Sequence, residues 1–239
     1  MIKIGKDNVL KVVKKLDFGV YLDGGDQGEI LLPRRYVPEE LEVDDEIEVF
    51  IYRDSEDRLI ATTERPFIEV GEFGLLKAVS VGRVGAFMDW GLMKDLLVPF
   101  REQRQPIEEG KSYIVYALLD SKSGRIFGST KLDKFVGNKP PRYNEGDEVE
   151  VLAVQPTDLG YKVIVDNLHW GLIYKNDLFD PLRPGDRLPA YVKAVRDDGK
   201  IDITLREHGG ERVFNLTDRI TGYLEDHDGQ MPYCDSSAP

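Results

Sequence analysis

The sequence contains few of the residue types that build disulfides and metal sites. Its single cysteine, Cys234, cannot form an internal disulfide, which fits a reducing cytoplasm. The three histidines, His169, His208 and His227, are scattered without the spacing of metal ligands. We therefore predict a protein with no metal and no cofactor.

Long apolar segments are also missing. No run approaches the roughly 18 consecutive apolar residues that span a membrane. Residues 1–6 have no apolar run of signal-peptide length, so export is not expected. These features predict a cytoplasmic protein that does not enter a membrane.

Catalytic motifs are absent from the sequence as well. Gly24 and Gly25 form a predicted hairpin turn between strands and not a phosphate-binding loop between a strand and a helix. Carboxylates are plentiful, but no spacing among them indicates an acid–base pair. We predict that the protein is not an enzyme.

The sequence does contain an internal repeat, in which one pattern of residues occurs three times. Landmarks of the first copy recur 66 positions later: Gly5, Leu10, Gly19, Tyr21, Pro33, Leu41 and Asp54 become Gly71, Leu76, Gly85, Phe87, Pro99, Ile107 and Asp120. A second shift of 75 carries Gly71 to Gly146, Gly85 to Gly160 and Arg125 to Lys200. The chain is therefore three copies of one structural unit, here called units one, two and three.

Each unit has the pattern of five short strands. In unit one these are rich in β-branched residues or alternate between apolar and polar positions, and they cover 9–15, 17–23, 29–33, 46–52 and 58–62. Five antiparallel strands with a longer connection after the third predict a small closed barrel of the OB type. In unit three, Pro189 within the fourth strand predicts an edge position or a bulge.

The predicted fold class is all-β, with three tandem five-stranded OB-type barrels and a short C-terminal helical fragment. The predicted domains cover residues 1–66, 67–136, 145–207 and 212–239. The linker at 66–70 is short, whereas the one at 136–145 contains two prolines and predicts an extended joint. In the last segment, Leu216, Ile220 and Leu224 have helical spacing.

The units resemble the S1-type RNA-binding domain. The resemblance rests on Asp17-Phe18-Gly19-Val20-Tyr21, on Gly28-Glu29-Ile30-Leu31, and on Asp54 followed by Arg58, Leu59 and Thr62. In that family two aromatic residues flank the glycine of the second strand, and an Asp and an Arg frame the last turn. The resemblance implies a nucleic-acid surface at Phe18, Tyr21, Asp54 and Arg58.

The implied surface weakens along the chain. Unit two keeps Phe87, Asp120 and Arg125 but has Val84 at the first aromatic position, and its last turn is one residue longer. Unit three keeps Tyr161 and Lys200 and has Leu159 and Lys162 at the two aromatic positions. The full predicted RNA-binding set is Phe18, Tyr21, Arg34, Asp54, Arg58, Phe87, Asp120, Arg125, Tyr161 and Lys200.

The whole arrangement resembles the conserved virulence factor B family of bacterial proteins. The matching blocks are 85–91 with 95–99 and 160–163 with 170–174. That family joins three S1-type units to a C-terminal winged helix, so residues 212–239 would be a fragment of the winged helix whose remainder is missing. The resemblance implies RNA binding and an influence on gene expression.

Aromatic residues of small barrels also fill cores, and this alternative stays open. Phe18 and Tyr21 are three positions apart, so simple alternation places them on opposite faces unless a bulge at Gly19 brings both outward. For Tyr161, Trp170 and His169, packing in a core or between domains is the favoured alternative. Trp90 fits either packing on the neighbouring barrel or extension of the binding surface.

The net charge of −12 restricts the kind of nucleic acid. Residues 10–66 contain eight basic and 15 acidic side chains, which disfavours strong duplex binding. Single-stranded RNA held by stacking, with a few local cations, remains as the predicted ligand, and acidic residues are expected on the far side of each barrel. The alternative partner is the ribosomal or transcription machinery, on which acidic barrels would dock as a scaffold.

Overall fold

The structure is a computed structural model that describes residues 1–178 and 181–206. These residues form three five-stranded β-barrels, which confirms the predicted fold class. The helix predicted within 212–239 lies outside the described residues. The domain boundaries drawn from the sequence stay predictions.

Barrel 1 is closed in the strand order β1-β2-β3-β5-β4. Its pairs are antiparallel except β3 with β5, which are parallel because a longer connection follows β3. Short 3-10 helices at Gly25–Gln27 and Arg34–Tyr36 flank β3. The strands are β1 (Asp7–Leu16), β2 (Gly19–Asp23), β3 (Glu29–Pro33), β4 (Glu46–Arg53) and β5 (Leu59–Thr62).

Barrel 2 has the sheet order β10-β9-β6-β7-β8. Its end strands meet through side chains: a Cβ added at Gly128 in β10 would lie 2.9 Å from Val98 and 3.3 Å from Leu96 in β8. The 3-10 helices are Phe100–Glu102 and Leu132–Lys134. The strands are β6 (Phe73–Val81), β7 (Gly85–Asp89), β8 (Leu96–Pro99), β9 (Ser112–Leu119) and β10 (Ile126–Ser129).

Barrel 3 is closed in the order β11-β12-β13-β15-β14, the topology of barrel 1. A 3-10 helix at Lys175–Asp177 follows its third strand. The strands are β11 (Glu148–Pro156), β12 (Gly160–Val165), β13 (His169–Tyr174), β14 (Arg187–Val195) and β15 (Ile201–Thr204). The chain divides into two compact bodies, one that contains barrels 1 and 2 and one that contains barrel 3.

One repeated glycine opens the second strand of every barrel for a steric reason. A Cβ at Gly19 would lie 2.3 Å from the carbonyl oxygen of Leu32 in the next strand. At Gly85 and Gly160 the corresponding distances, to the carbonyl oxygens of the third strand, are 2.2 Å and 1.9 Å. The repeat conserves glycine here because the third strand crosses too close for any side chain.

The bulges lie elsewhere than the sequence suggests. Gly19 is in regular register with Leu16 and Pro33, and the irregularity falls in β1, between Val12 and Lys14. The first strands of barrels 2 and 3 are bulged at the same place. A bulge increases local twist and helps a short strand to serve two neighbours of a closed sheet.

Pro189 lies at neither an edge nor a bulge. It pairs with Glu150 of β11 in a closed barrel, and the bulge of β14 comes later, between Val192 and Ala194. The Val192 N–H points towards the β11 side, where it donates to the carbonyl of Asp147, the residue before β11. By alternation the nitrogen of Pro189 faces β15, whose pairing with β14 begins only at Tyr191, so no ladder bond is lost.

Candidate nucleic-acid interface

The outer face of barrel 1 carries one continuous row of side chains across four strands. The register pairs Lys14 of β1 with Tyr21 of β2, Tyr21 with Leu31 of β3, and Leu31 with Ile60 of β5. Tyr21, Leu31 and Ile60 are each partly exposed, whereas their strand neighbours point into the core. The Lys14 ammonium lies 4.5 Å from the centre of the Tyr21 ring and pairs with Glu29.

Phe18 reaches the Tyr21 ring from the turn between β1 and β2. It is 56% exposed, and the two ring centres lie 6.2 Å apart in an edge-to-face arrangement. The Phe18 carbonyl accepts the Arg34 N–H, and the Arg34 guanidinium donates to the Asp17 carbonyl at 3.3 Å. The structure therefore brings Phe18, Tyr21 and Arg34 to one end of the face, without a bulge at Gly19.

The hairpin between β4 and β5 closes the other end of this face. One Asp54 oxygen accepts the backbone N–H groups of Glu56 and Arg58, and the other accepts the Arg58 guanidinium at 2.9 and 2.7 Å. Burial alone would raise the pKa of Asp54, but the hydrogen bonds from Arg58 and Glu56 lower it below its ordinary value. Asp54 thus holds the exposed Arg58 in place at the rim.

Between these ends lies a groove of about 400 Å³, here called the first groove. It brings together three predicted site residues, Tyr21, Asp54 and Arg58. The full lining is Tyr21, Gln27, Glu29, Leu31, Arg53, Asp54, Arg58, Leu59 and Ile60. Arg53 and Arg58 line the groove together with the carboxylates of Glu29 and Asp54, so its charges balance. Residues 10–66 as a whole are acidic.

Barrel 2 presents the equivalent row with a different set of rings. In the strand register, Phe87 of β7 pairs with Ser80 of β6 on one side and with Leu97 of β8 on the other. Phe87 and Leu97, together with Phe127 of β10, line a larger groove of about 670 Å³, here called the second groove. The second groove also includes Arg53 and Asp54 of barrel 1, so the two grooves share lining residues.

The side chains of Asp120 and Arg125 do not pair as those of Asp54 and Arg58 do in barrel 1. Arg125 makes a bidentate ion pair with Asp57 of barrel 1, at 2.8 and 2.7 Å, and its hydrogen bonds lower the pKa of Asp57. Asp120 instead accepts the backbone N–H groups of Lys122 and Ser123, which lower its pKa. The extra residue in this turn turns Arg125 away from Asp120 and towards the neighbouring barrel.

Trp90 packs on the neighbouring barrel and is not part of the exposed surface. It is 2% exposed, and its ring meets Phe50 of β4 edge-to-face at 5.8 Å. Next to it, the Lys94 ammonium donates to the carbonyls of Arg53 and Asp54, both at 2.8 Å, and burial lowers its pKa. These contacts join barrel 2 to the β4–β5 hairpin that frames both grooves.

In barrel 3, Tyr161 packs in the core, which is the alternative favoured for it from the sequence, and it does not lie on the predicted RNA-binding surface. Tyr161 is 5% exposed and belongs to the core, because it falls at the strand position of the buried Val20 and Ala86. Lys162, one residue later, takes the outward position of Tyr21. Lys200 lies at the rim, as Arg58 does, but pairs with Asp198 at 2.8 Å.

His169 is also packed in the interior, which is the alternative favoured for it from the sequence. It is 4% exposed and its ring meets Tyr143 edge-to-face at 5.6 Å. Burial lowers the pKa of His169, which keeps the imidazole neutral at physiological pH. Trp170, in contrast, is partly exposed, and the Lys162 ammonium lies 3.5 Å from its ring centre.

Several surface residues were not singled out from the sequence. Leu31 and Ile60 in barrel 1 and Phe127 in barrel 2 lie on the rows because of strand register. Alternation along each strand indicates which residues share a face, but it does not align one strand with another. The pairing of β3 with β5 in particular joins segments that the sequence separates by a long connection.

Within the described residues, no group of three or more His, Cys, Asp or Glu side chains is placed to hold a metal ion. In the same part of the chain, no helix is long and apolar enough to cross a membrane.

Comparison with known proteins shows which families and relatives this chain resembles. A family model described as S1 domain matches residues 4–64, which is barrel 1. YitL of Bacillus subtilis (strain 168) is 30% identical over 98% of this chain and 81% of its own length. Conserved virulence factor B of Staphylococcus aureus (strain USA300) is 24% identical over 99% of this chain and 82% of its own length.

One solved structure is also similar to this chain, a multidomain protein with nucleic acid binding domains from Streptococcus pneumoniae TIGR4. The two sequences are 21% identical, the TM-score is 0.48, and the match covers 99% of this chain and 85% of the other. Fold and surface together define a tandem OB-barrel protein whose first barrel is an S1 domain. The chain belongs to the family of YitL and conserved virulence factor B, which confirms the resemblance found in the sequence.

Proposed function

We propose that this protein binds single-stranded RNA in the cytoplasm without catalysing a reaction, and that it influences gene expression through that binding. The observation that carries the proposal is the exposed pair of Phe18 and Tyr21, 6.2 Å apart, at the edge of the first groove. An unpaired base offers a flat π-face, and stacking on an aromatic side chain contributes about 1–3 kcal/mol per base.

The charges around the first groove favour a single strand over a duplex. Arg58 and Arg34 stand at opposite ends of the face, where a few phosphates could be met. The groove itself is balanced in charge, and the chain carries a net charge of −12. Duplex binding needs many phosphate contacts, whereas stacking needs rings and only a few cations.

The second groove extends the proposed path into barrel 2. Phe87 and Phe127 offer rings there, and Arg101 and Arg125 line the same groove. Because both grooves include Arg53 and Asp54, a strand leaving Tyr21 passes the hairpin at Arg58 and enters the second groove. An extended strand on barrels 1 and 2 fits this geometry better than two independent short sites.

The test is a titration of the full chain with a labelled uridine oligomer at two salt concentrations. Phe18→Ala combined with Tyr21→Ala should weaken binding by about 1–3 kcal/mol for each ring lost. The matched control is Phe67→Ala, which removes a 63% exposed aromatic side chain that lines neither groove. Equal affinity of the parent and the double variant would reject the proposal.

A second candidate function is a protein scaffold, which the net charge of −12 favours. Acidic barrels would then dock on basic surfaces of the ribosomal or transcription machinery. This candidate predicts that the parent does not bind the uridine oligomer, or binds it equally after loss of Phe18 and Tyr21. The exposed ring pair of barrel 1 favours RNA over this alternative.

A further inference from the structure

Barrel 3 carries an aromatic surface on its third strand. Trp170, Leu172 and Tyr174 alternate along β13, and all three are partly exposed while His169, Gly171 and Ile173 are buried. The two rings are therefore on the same outer face, roughly 13 Å apart along the strand. Leu172 lies between them, so each ring can contact a different planar group.

Cations surround both rings. The Lys162 ammonium lies 3.5 Å from the centre of the Trp170 ring. The Arg196 guanidinium and the Lys193 ammonium each lie 5.9 Å from the centre of the Tyr174 ring. Aromatic rings with adjacent cations match a ligand that alternates flat bases with phosphates.

The Tyr174 end of this surface is fixed by polar contacts. Arg196 donates to Asp202 at 3.0 and 2.6 Å and also to the Tyr174 hydroxyl. Lys193 pairs with the buried Asp177 at 3.1 Å. The ring and its two cations are thus held in place before any ligand arrives, which lowers the entropic cost of binding.

Strand register shows how this surface differs from barrel 1. Lys162 stands where barrel 1 has Tyr21, because Lys162 pairs with Leu172 as Tyr21 pairs with Leu31. The same alignment puts Trp170 at the place of Glu29 and Tyr174 at the place of Pro33. The outward aromatic residues of barrel 3 therefore lie on its third strand, whereas Tyr21 of barrel 1 lies on the second.

The rim has changed as well. The Arg196 N–H donates to the Lys200 carbonyl, as the Asp54 N–H donates to the Arg58 carbonyl. Arg196 therefore occupies the position of Asp54, and a cation replaces the rim carboxylate of barrel 1. The weak match of unit three to the S1 pattern reflects this rearrangement of the surface and not its loss.

We propose that Trp170 and Tyr174 form a second stacking surface for unpaired bases of single-stranded RNA, with Arg196 and Lys193 as phosphate contacts. The ligand class rests on the proposed function, but the site is separate from the grooves of barrels 1 and 2. The Lys162 ammonium lies over the Trp170 ring, so a base that stacks on the same face of the ring must displace it.

The test uses tryptophan emission of the full chain during titration with a uridine oligomer. The chain contains two tryptophans, and Trp90 lines the second groove, so the part of the emission change that disappears in Trp170→Phe reports on barrel 3. Tyr174→Ala and Arg196→Ala should each raise the oligomer concentration at half-change at least about fivefold. The control Arg187→Ala removes a cation that pairs with Glu150 of β11 and is not among the cations around Trp170 and Tyr174, and it should leave the titration unchanged.

The Phe18→Ala, Tyr21→Ala double variant separates this inference from the proposed function. The Trp170 signal should persist in that variant, while total binding measured with a labelled oligomer falls. No change in Trp170 emission at concentrations that saturate barrel 1, or half-change points unaffected by Tyr174→Ala and Arg196→Ala in variants that keep the parent circular dichroism, would overturn the inference. Either result leaves the role of barrel 1 to be judged by its own titration.

Discussion

At the scale of single residues, the glycine that opens each second strand is the most constrained position of the repeat. The carbonyl of the third strand occupies the space that a side chain would need at Gly19, Gly85 and Gly160. Any replacement must push two paired strands apart, and these are the strands that carry the candidate surface.

Gly85→Ala should therefore destabilise barrel 2 much more than Gly110→Ala. Both glycines have positive φ, which costs alanine about 1–2 kcal/mol, but nothing lies within 4 Å of a Cβ at Gly110, whereas at Gly85 the Val98 oxygen would be 2.2 Å away. Chemical denaturation of the two variants measures the difference. Equal free energies of unfolding would show that the close approach is not a constraint.

His169 predicts a pH dependence of barrel 3. Burial lowers its folded-state pKa below the ordinary value of 6.5, so the unfolded chain takes up a proton first as the pH falls. The free energy of unfolding should drop as the pH falls through the ordinary histidine pKa of 6.5, and His169→Phe should remove that part of the drop. Amide exchange of β11–β13 above and below pH 6.5 measures this change in the free energy of unfolding. Identical pH profiles of the parent and the variant would contradict the assignment to His169.

The S1 resemblance named the candidate surface of barrel 1, but it did not name the aromatic surface on β13 of barrel 3. Phe18, Tyr21 and Arg58 match a known pattern, so they could be named from the sequence. Tyr161 is buried because it lies one residue before the outward position of Lys162, and one residue of offset exchanges the inner and outer faces of a strand. The correct outward residues of β13 follow from alternation once Gly171 and Ile173 are known to be buried.

At the scale of structural elements, the hairpin between β4 and β5 links the two grooves. Asp54 holds its own turn and Arg58, Asp57 pairs with Arg125 of barrel 2, and Lys94 binds the hairpin carbonyls. One five-residue turn thus shapes the first groove and positions barrel 2 against it.

Arg125→Ala should loosen this hairpin. Loss of the bidentate pair with Asp57 removes the contact that ties the turn to barrel 2, so amide exchange of residues 54–58 should become faster. Arg104→Ala is the control, because it removes an exposed pair with Asp133 that lies within barrel 2. Unchanged exchange in Arg125→Ala would mean that Lys94 and the apolar contacts hold the hairpin alone.

The strands were predictable, whereas their pairing and the contacts between elements were not, and the parallel pairing of β3 with β5 departs from the antiparallel arrangement expected from the sequence. Alternation and turn residues gave all five strands of unit one to within a few residues. The bulge in β1 and the Arg125–Asp57 pair depend on how distant segments align, which no local pattern encodes. The longer turn of barrel 2 distinguishes its Asp and Arg from those of barrel 1, but it gives no indication of the new partner of Arg125.

At the scale of the whole molecule, the acidic composition and the aromatic surfaces are compatible if binding relies on stacking. Each phosphate contact to a single strand contributes about 0.7 to the slope of log affinity against log salt. With few cations at the grooves, the slope for the full chain should be no steeper than about −2. A slope steeper than about −4 in the uridine titration would indicate a phosphate-led mode instead.

The most direct measurement of the central claim is photo-crosslinking of the full chain to a 4-thiouridine oligomer, followed by peptide mapping. The account predicts adducts on the peptide that contains Phe18 and Tyr21, and their loss in the double alanine variant. Adducts confined to β4 and the adjoining side of β1, with none between residues 17 and 34, would contradict it.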